Sequence, residues 1–366
     1  MWLFLALALG LFQPVAAGPA LAQGFEIETV IQNVDLPWSL NFAPDGRLLF
    51  TSRDTGEIHA LDVDTAQLTT FAPPLPVLHG GEGGLLGMVL DPDFEANNWL
   101  YVCFSVKYDG KEVNRVSRWR LDGVQLKDEA VFIEMSHALI HNGCRLVFSP
   151  DGNYLFITMG DAGNADRAQD PDSLNGKILR LKRDGSIPDD NAWPNSAVWT
   201  LGHRNAQGLA FEPGTERLWS TEHGPTTQDE LNVIKKGRNY GWPLCLGEQA
   251  TCPAVTNYEP AVREFYTDQT VATSDMMFYM GDAFPDWQGD LFFVTLKTGR
   301  LYHLKVSGES VVSEERLIDG EHGRLRDVTE GPDGLIYIST DARDGHAKIF
   351  RLKPVAKVFV PVVAVG

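Results

Sequence analysis

The chain has 366 residues, 43% of them hydrophobic, with 35 glycines and 21 prolines. That is enough apolar mass for one large core and many turns, and it is not the composition of a disordered chain. The formal net charge of −18 repels phosphate backbones and gains nothing from an anionic membrane surface, so no nucleic acid partner is expected.

In chain order, the first feature is an apolar run from Trp2 to Phe12, broken by Gln13 and Pro14. A small-x-small site follows at Ala20-Leu21-Ala22. The run is shorter than the roughly 20 apolar residues a membrane-spanning helix needs. Residues 1–22 therefore read as an export signal, although no Lys or Arg precedes the run. Cleavage would leave 23–366 as a single domain, periplasmic or secreted, with no stable membrane association.

After the signal, one phrase recurs: a turn rich in Pro, Asp and Gly, then an apolar or alternating strand. It begins at Phe42 and again at Leu90, where it leads to Trp99. It recurs at Phe148, and more loosely at Phe211, leading to Leu218. A divergent copy starts at Phe284 and the last at Gly331. Spacings of about 40 to 70 residues are those of propeller blades. The strands are rich in β-branched and aromatic residues, and long stretches of helical periodicity are few. The expected fold is all-β, a six-bladed β-propeller. The strand near Phe25 to Val34 is placed to pair with the last blade and close the ring. The apolar tail from Val355 to Gly366 reads as an edge strand on the outer surface.

Four cysteines suit an exported chain. Cys245 and Cys252 lie close together in a turn-rich stretch and could pair. Cys103, in a predicted strand, is expected as a buried thiol. No Cys-x-x-Cys pair occurs, which argues against structural zinc.

Five segments place polar residues where strands should end. His141 to Leu146 puts an imidazole, the natural general base near neutral pH, in a Gly-containing loop; a surface or capping role is the plain alternative. Leu201 to Gly208 holds Arg204, whose planar fork suits carboxylate or quinone oxygens, with an inter-blade salt bridge as the alternative. Glu222-His223-Gly224-Pro225, followed by Asp229 and Glu230, is a turn that can present carbonyls to a hard cation, although most acidic turns bind nothing. Lys297 follows the strand Leu291 to Leu296. Arg324 and Arg326, two apart in an extended strand, can face one side; pairing with acids is the alternative. Together, four cations at strand ends of different blades converge on a channel mouth and imply a small polyanion.

These motifs carry a resemblance. The chain is similar to soluble sugar dehydrogenases that use pyrroloquinoline quinone (PQQ), the glucose/sorbosone dehydrogenase group, and especially the bacterial aldose type. The resemblance runs from about Leu36 to Leu352. It rests on Leu36 to Leu40, Gly81 to Gly87, His141 to Leu146, Gly160-Asp161, Asn175 to Arg180, Gly202 to Asn205, Glu222 to Pro225 and Asn239 to Pro243, in that order. It implies a six-bladed propeller and oxidation of the anomeric hydroxyl of an aldose to a lactone, with electrons passed to a periplasmic acceptor. His141 would be the catalytic base. Arg204 and Asn205 would hold PQQ, Arg204 polarising the quinone oxygen. Lys297, Arg324 and Arg326 would pair with PQQ carboxylates and oxygens, Glu82 would meet substrate, and the carbonyls of Gly224 and Pro225 would ligate Ca2+.

Some positions depart from the family pattern. Cys144 stands where a very small residue is usual, where its thiol could narrow the site or oxidise. Ile140 stands where glucose-oxidising members carry an acid, and Glu82 where they carry Gln. Ala272 to Met276 replaces a Pro-Ser-Gly pattern. These changes bear on the substrate more than on the cofactor. Two other readings are a non-catalytic ligand-binding propeller and a calcium-dependent lactonase. The intact cationic set argues against the first, and the dominance of Arg and Lys over carboxylates against the second.

Overall fold

The structure, a computed structural model, describes residues 24–355 apart from 249, 266–269 and 343–345. The expected signal and the tail beyond Val355 lie outside the described residues.

The repeated phrase has a local cause. In its three Pro-Asp-Gly copies the glycine N–H bonds back to the carbonyl three residues earlier: Gly46 to Ala43 (2.9 Å), Gly152 to Ser149 (2.8 Å) and Gly334 to Gly331 (2.9 Å). Proline presets φ at the second position of such a turn. The Asp side chain accepts the N–H two residues on, from Arg47, Asn153 and Leu335. Each glycine sits at positive φ, 87°, 71° and 71°, where a side chain would be strained.

Each of the six turns joins the first and second strands of a four-stranded antiparallel sheet, and there are six such sheets. Blade 1 starts with Pro37–Phe42 and Leu48–Ser52, and blade 2 with Leu85–Leu90 and Trp99–Tyr108. Blade 3 starts with Leu146–Phe148 and Tyr154–Met159, and blade 4 with Ala206–Phe211 and Leu218–Glu222. Blade 5 starts with Thr273–Phe278 and Leu291–Thr295, and blade 6 with Leu325–Glu330 and Ile336–Thr340. Blade 6 takes its outer strand from the other end of the chain: Phe25–Val34 pairs antiparallel with Ala347–Pro354. The expected ring closure is therefore present. The two α-helices among the described residues have four residues each.

The core is divided among the seams between blades. Six buried apolar clusters each join two neighbours; Tyr101 and Cys103 of blade 2, for example, pack with Leu155 and Ile157 of blade 3. This sandwiching buries both faces of the middle strands, so Leu48–Ser52 and Leu291–Thr295 are buried throughout.

Two disulfides are formed. Cys245–Cys252 joins the turn-rich stretch, as the spacing allowed. The expectation for Cys103 is overturned: it is bonded to Cys144, with 5.5 Å between Cα atoms. Neither residue is a thiol, and the described residues hold no free cysteine. Strand position gave Cys103's burial correctly, but the partner comes from the next blade, which local sequence does not display. No helix among the described residues is long and apolar enough to cross a membrane.

Candidate active site at the channel mouth

Antiparallel pairing puts the residues before each first strand, and those after each second strand, at the end of the propeller opposite the Pro-Asp-Gly turns. A cavity of about 480 Å³, open mouth included, lies among them. Its lining includes Trp38, Arg53, Glu82, Asn142, Gly143, Asn205, Gln207, His223, Arg324 and Arg326.

His141 stands beside these residues, and its loop is tightly fixed. His141, Gly143 and Cys144 all have positive φ. A Cβ on Gly143 would lie 2.8 Å from the Gly160 nitrogen and 2.9 Å from the Thr158 carbonyl, so only glycine lets the loop lie on the blade 3 strand. The backbone N–H of His141 donates to Glu82 Oε2 (2.6 Å), and Gly143 N–H to Asn205 Oδ1 (3.1 Å). Glu82 Oε2 also receives Asn205 Nδ2 at 3.4 Å. Glu82 and Asn205 thus shape the His141 loop as well as the cavity wall.

The imidazole has a defined partner. His141 Nδ1 lies 2.7 Å from Asp161 Oδ1. Asp161 also accepts Gly163 N–H (2.8 Å) and Trp242 Nε1 (2.9 Å). Burial pushes its carboxyl up, but the bonds from His141, Trp242 and Gly163 outweigh this and hold it below the usual carboxylate range. An ionised Asp161 keeps the proton on Nδ1 and leaves Nε2 as the free base nitrogen.

The expected cations do not all enter one cavity. Arg324 and Arg326 line the main one and share a partner: Arg326 donates to Asp341 through two nitrogens, and Arg324 Nη2 lies 3.6 Å from the same carboxylate. Arg326 is buried, also bonds Gln207 (3.1 Å), and has its charge balanced by Asp341. Arg204 lines an adjoining cavity with Gly224, Pro225, Glu222, Glu230 and Trp242. Its guanidinium lies 5.3 Å from the Trp242 ring, and burial pulls it below its usual range against Asp161, Glu222 and Glu82. Lys297 is exposed, one residue beyond Leu296 of the cavity wall. Arg53, not singled out from sequence, takes a place in the wall at the end of the second strand of blade 1. The signal was there, since Arg53 follows its strand much as Lys297 follows the blade 5 strand. Asp161 and Trp242 were visible only as parts of motifs.

His203 is structural. It is fully buried between Glu222 Oε2 (2.7 Å) and Thr200 Oγ1 (2.8 Å) and stacks on Tyr240. Glu222 Oε1 accepts the backbone N–H groups of Arg204 and Asn205, which sets the turn that presents both.

The donor set suits the groups the resemblance implies. The Nε atoms of Arg204 and Arg324 are buried with no hydrogen-bond partner, a cost that an anionic, acceptor-rich ligand would repay. In the adjoining cavity Glu222 and Glu230 lie directly across paired strands. Burial and then Glu222 push the Glu230 carboxyl up to about 8. Those carboxylates, with the turn at Gly224 and Pro225, are oxygen donors a divalent cation would relieve. Among the described residues no three His, Cys, Asp or Glu side chains gather within reach of one metal ion, so main-chain oxygens would have to contribute.

Residues 34–351 match the glucose/sorbosone dehydrogenase family. The chain belongs to that family. It is 36% identical over 340 residues to the aldose sugar dehydrogenase YliI of Escherichia coli, covering 87% of this chain and 91% of that one. It is 27% identical to quinoprotein glucose dehydrogenase B of Acinetobacter calcoaceticus, covering 90% and 88%. Among solved structures, the apo-form soluble aldose sugar dehydrogenase of Escherichia coli superposes with a TM-score of 0.82 at 34% identity, covering 91% and 100%. The PQQ-bound aldose sugar dehydrogenase of Streptomyces coelicolor does so with 0.80 at 32%, covering 91% and 99%. The six-bladed propeller is thus shared with solved members of the family, and these relatives are sugar dehydrogenases.

Proposed function

We propose that this protein is a quinoprotein aldose dehydrogenase. It would oxidise the anomeric hydroxyl of an aldose to the lactone with bound PQQ and Ca2+, and pass electrons to an acceptor outside the cytoplasm. The observation that carries the reading is the His141–Asp161 pair, beside a cavity walled by cations in a chain of net charge −18.

PQQ, when bound, supplies the two-electron acceptor for hydride. The chain's own residues do the rest. His141 Nε2 would take the proton from the oxygen of the anomeric hydroxyl, and Asp161 would stabilise the resulting imidazolium through Nδ1. Such a base contributes about 10²- to 10⁴-fold in rate. Arg204, Arg324, Arg326, Lys297 and Asn205 would hold the anionic cofactor, and Arg204 would polarise the quinone oxygen. The Gly224 and Pro225 carbonyls, with Glu222 and Glu230 behind them, would hold Ca2+. Glu82 would meet the sugar while fixing the His141 loop. Residues 1–22 would direct export and be removed.

The test is His141→Ala. The variant should bind PQQ as the wild type does and lose dye-linked aldose oxidation. Retained turnover would remove His141 from the chemistry, and loss of PQQ binding would make it a cofactor residue instead.

A further inference from the structure

The six first strands surround the channel, and each ends at the turn that joins it to its second strand. Three residues before their last residues (Phe42, Leu90, Phe148, Phe211, Phe278 and Glu330) stand Ser39, Gly87, Arg145, Gly208, Asp275 and Asp327. Two of these six positions are glycine, and they belong to blades 2 and 4, on either side of the blade that carries Arg145. A Cβ on Gly87 would lie 2.0 Å from the Cys144 carbonyl, and one on Gly208 would lie 2.7 Å from the Ser274 carbonyl. Larger residues would not fit there.

Flanked by these closely packed glycines, Arg145 crosses the channel. Its Nε is 3.0 Å from Asp275 Oδ1 of blade 5 and 3.0 Å from the Gln207 carbonyl of blade 4. Its Nη1 is 2.6 Å from Asp327 Oδ2 of blade 6 and 3.5 Å from Ser39 Oγ of blade 1. The guanidinium carbon lies 4.3 Å from the centre of the Trp38 ring. Arg145, Asp275 and Asp327 are all buried.

This layer separates two cavities. Trp38 lines the one at the channel mouth. Arg145 and Asp275 line a second, at the far end, with Asn41, Val89, Val147 and Thr329. The Trp38 indole faces the site, and the Arg145 guanidinium behind it faces the far opening.

We propose that Arg145 is a positioning residue for the site. It holds Trp38, part of the cavity wall, by a desolvated cation–π contact, and it closes the channel so that the site opens at the mouth alone. Asp275 and Asp327 both bond the guanidinium and fix its plane between blades that sequence separates by 130 and 182 positions.

Two variants of the full chain test this. Arg145→Ala alone strands two buried carboxyls and is expected to unfold more readily. Arg145→Ala/Asp275→Asn/Asp327→Asn removes those charges and is expected to recover most of the thermal stability while leaving the hole. The first readout is oxidative footprinting of Trp38 by mass spectrometry on the cofactor-free protein. Trp38, 3% exposed in the wild type, should be labelled several times faster in the triple variant. The second is PQQ affinity, expected to weaken by about 30-fold, the scale of a desolvated cation–π contact. The affinity readout rests on the cofactor reading above, and the footprinting does not, so the two can fail separately. A triple variant with wild-type labelling of Trp38 would overturn the proposal. So would wild-type affinity in a chain whose wild-type form binds PQQ.

Discussion

Replacing Asp161 by Asn keeps its volume and removes its charge. The structure shows why this change should reach the chemistry. Oδ1 of Asp161 accepts from His141 Nδ1 and Gly163 N–H, while Oδ2 accepts from Trp242 Nε1. An amide has one acceptor and one donor to divide between these places. With its NH2 in the Oδ2 position it meets the indole N–H, donor against donor. With its NH2 in the Oδ1 position it meets the Gly163 N–H and turns His141 Nδ1 into an acceptor. Nε2 then carries the proton and can no longer act as a base. In both arrangements the imidazolium loses its counter-charge. A hydrogen bond to a charged group is worth about 1.5–3 kcal/mol, so kcat should fall about 10- to 150-fold. The assay is steady-state dye reduction by the PQQ-loaded protein at saturating aldose, with PQQ affinity measured in parallel. Asp161 lines neither cavity, so that affinity should change much less than kcat. A kcat indistinguishable from the wild type would refute the reasoning.

Two further outcomes follow from the same geometry. Asp161's folded pKa is held below the usual range by its three donors despite burial. Its contribution to stability is therefore present above the unfolded value of about 3.9 and lost as pH falls through the lower folded value. Urea midpoints measured against pH should show a shallower acid loss in Asp161→Asn, and an unchanged slope would contradict this. The Cys103–Cys144 bridge spans 41 positions, so Cys103→Ser/Cys144→Ser should cost about 4 kcal/mol by loop-closure entropy. Denaturant unfolding checks this, and a loss near zero would show that blade packing alone fixes the His141 loop.

The fold was legible because its signals are local. A Pro-Asp-Gly turn needs those residues within four positions, and the chain writes it at Pro44, Pro150 and Pro332. The strand from Phe25 also announced an unpaired edge that something had to close. The site was legible only as scattered polar residues at strand ends. Which of them meet depends on the ring, and that is where reading the chain fell short. Cys103 finds Cys144 across a seam between blades. Arg53 resembles any arginine after a strand until the cavity wall is assembled. Asp161, twenty positions after His141, becomes its partner because blade 3 folds its second strand back beneath the loop. Lys297 was expected among the cofactor's cations, and the structure leaves it exposed at the edge of the wall.

The central claim is that this cationic, His-based site takes PQQ and oxidises an aldose. Calorimetric titration of the cofactor-free protein with PQQ in the presence of Ca2+, followed by dye-linked assay of the same sample against a panel of aldoses, tests it directly. Saturable binding at one PQQ per chain is expected, with aldose-dependent dye reduction that needs both additions. No binding heat, together with no reduction by any aldose, would contradict it.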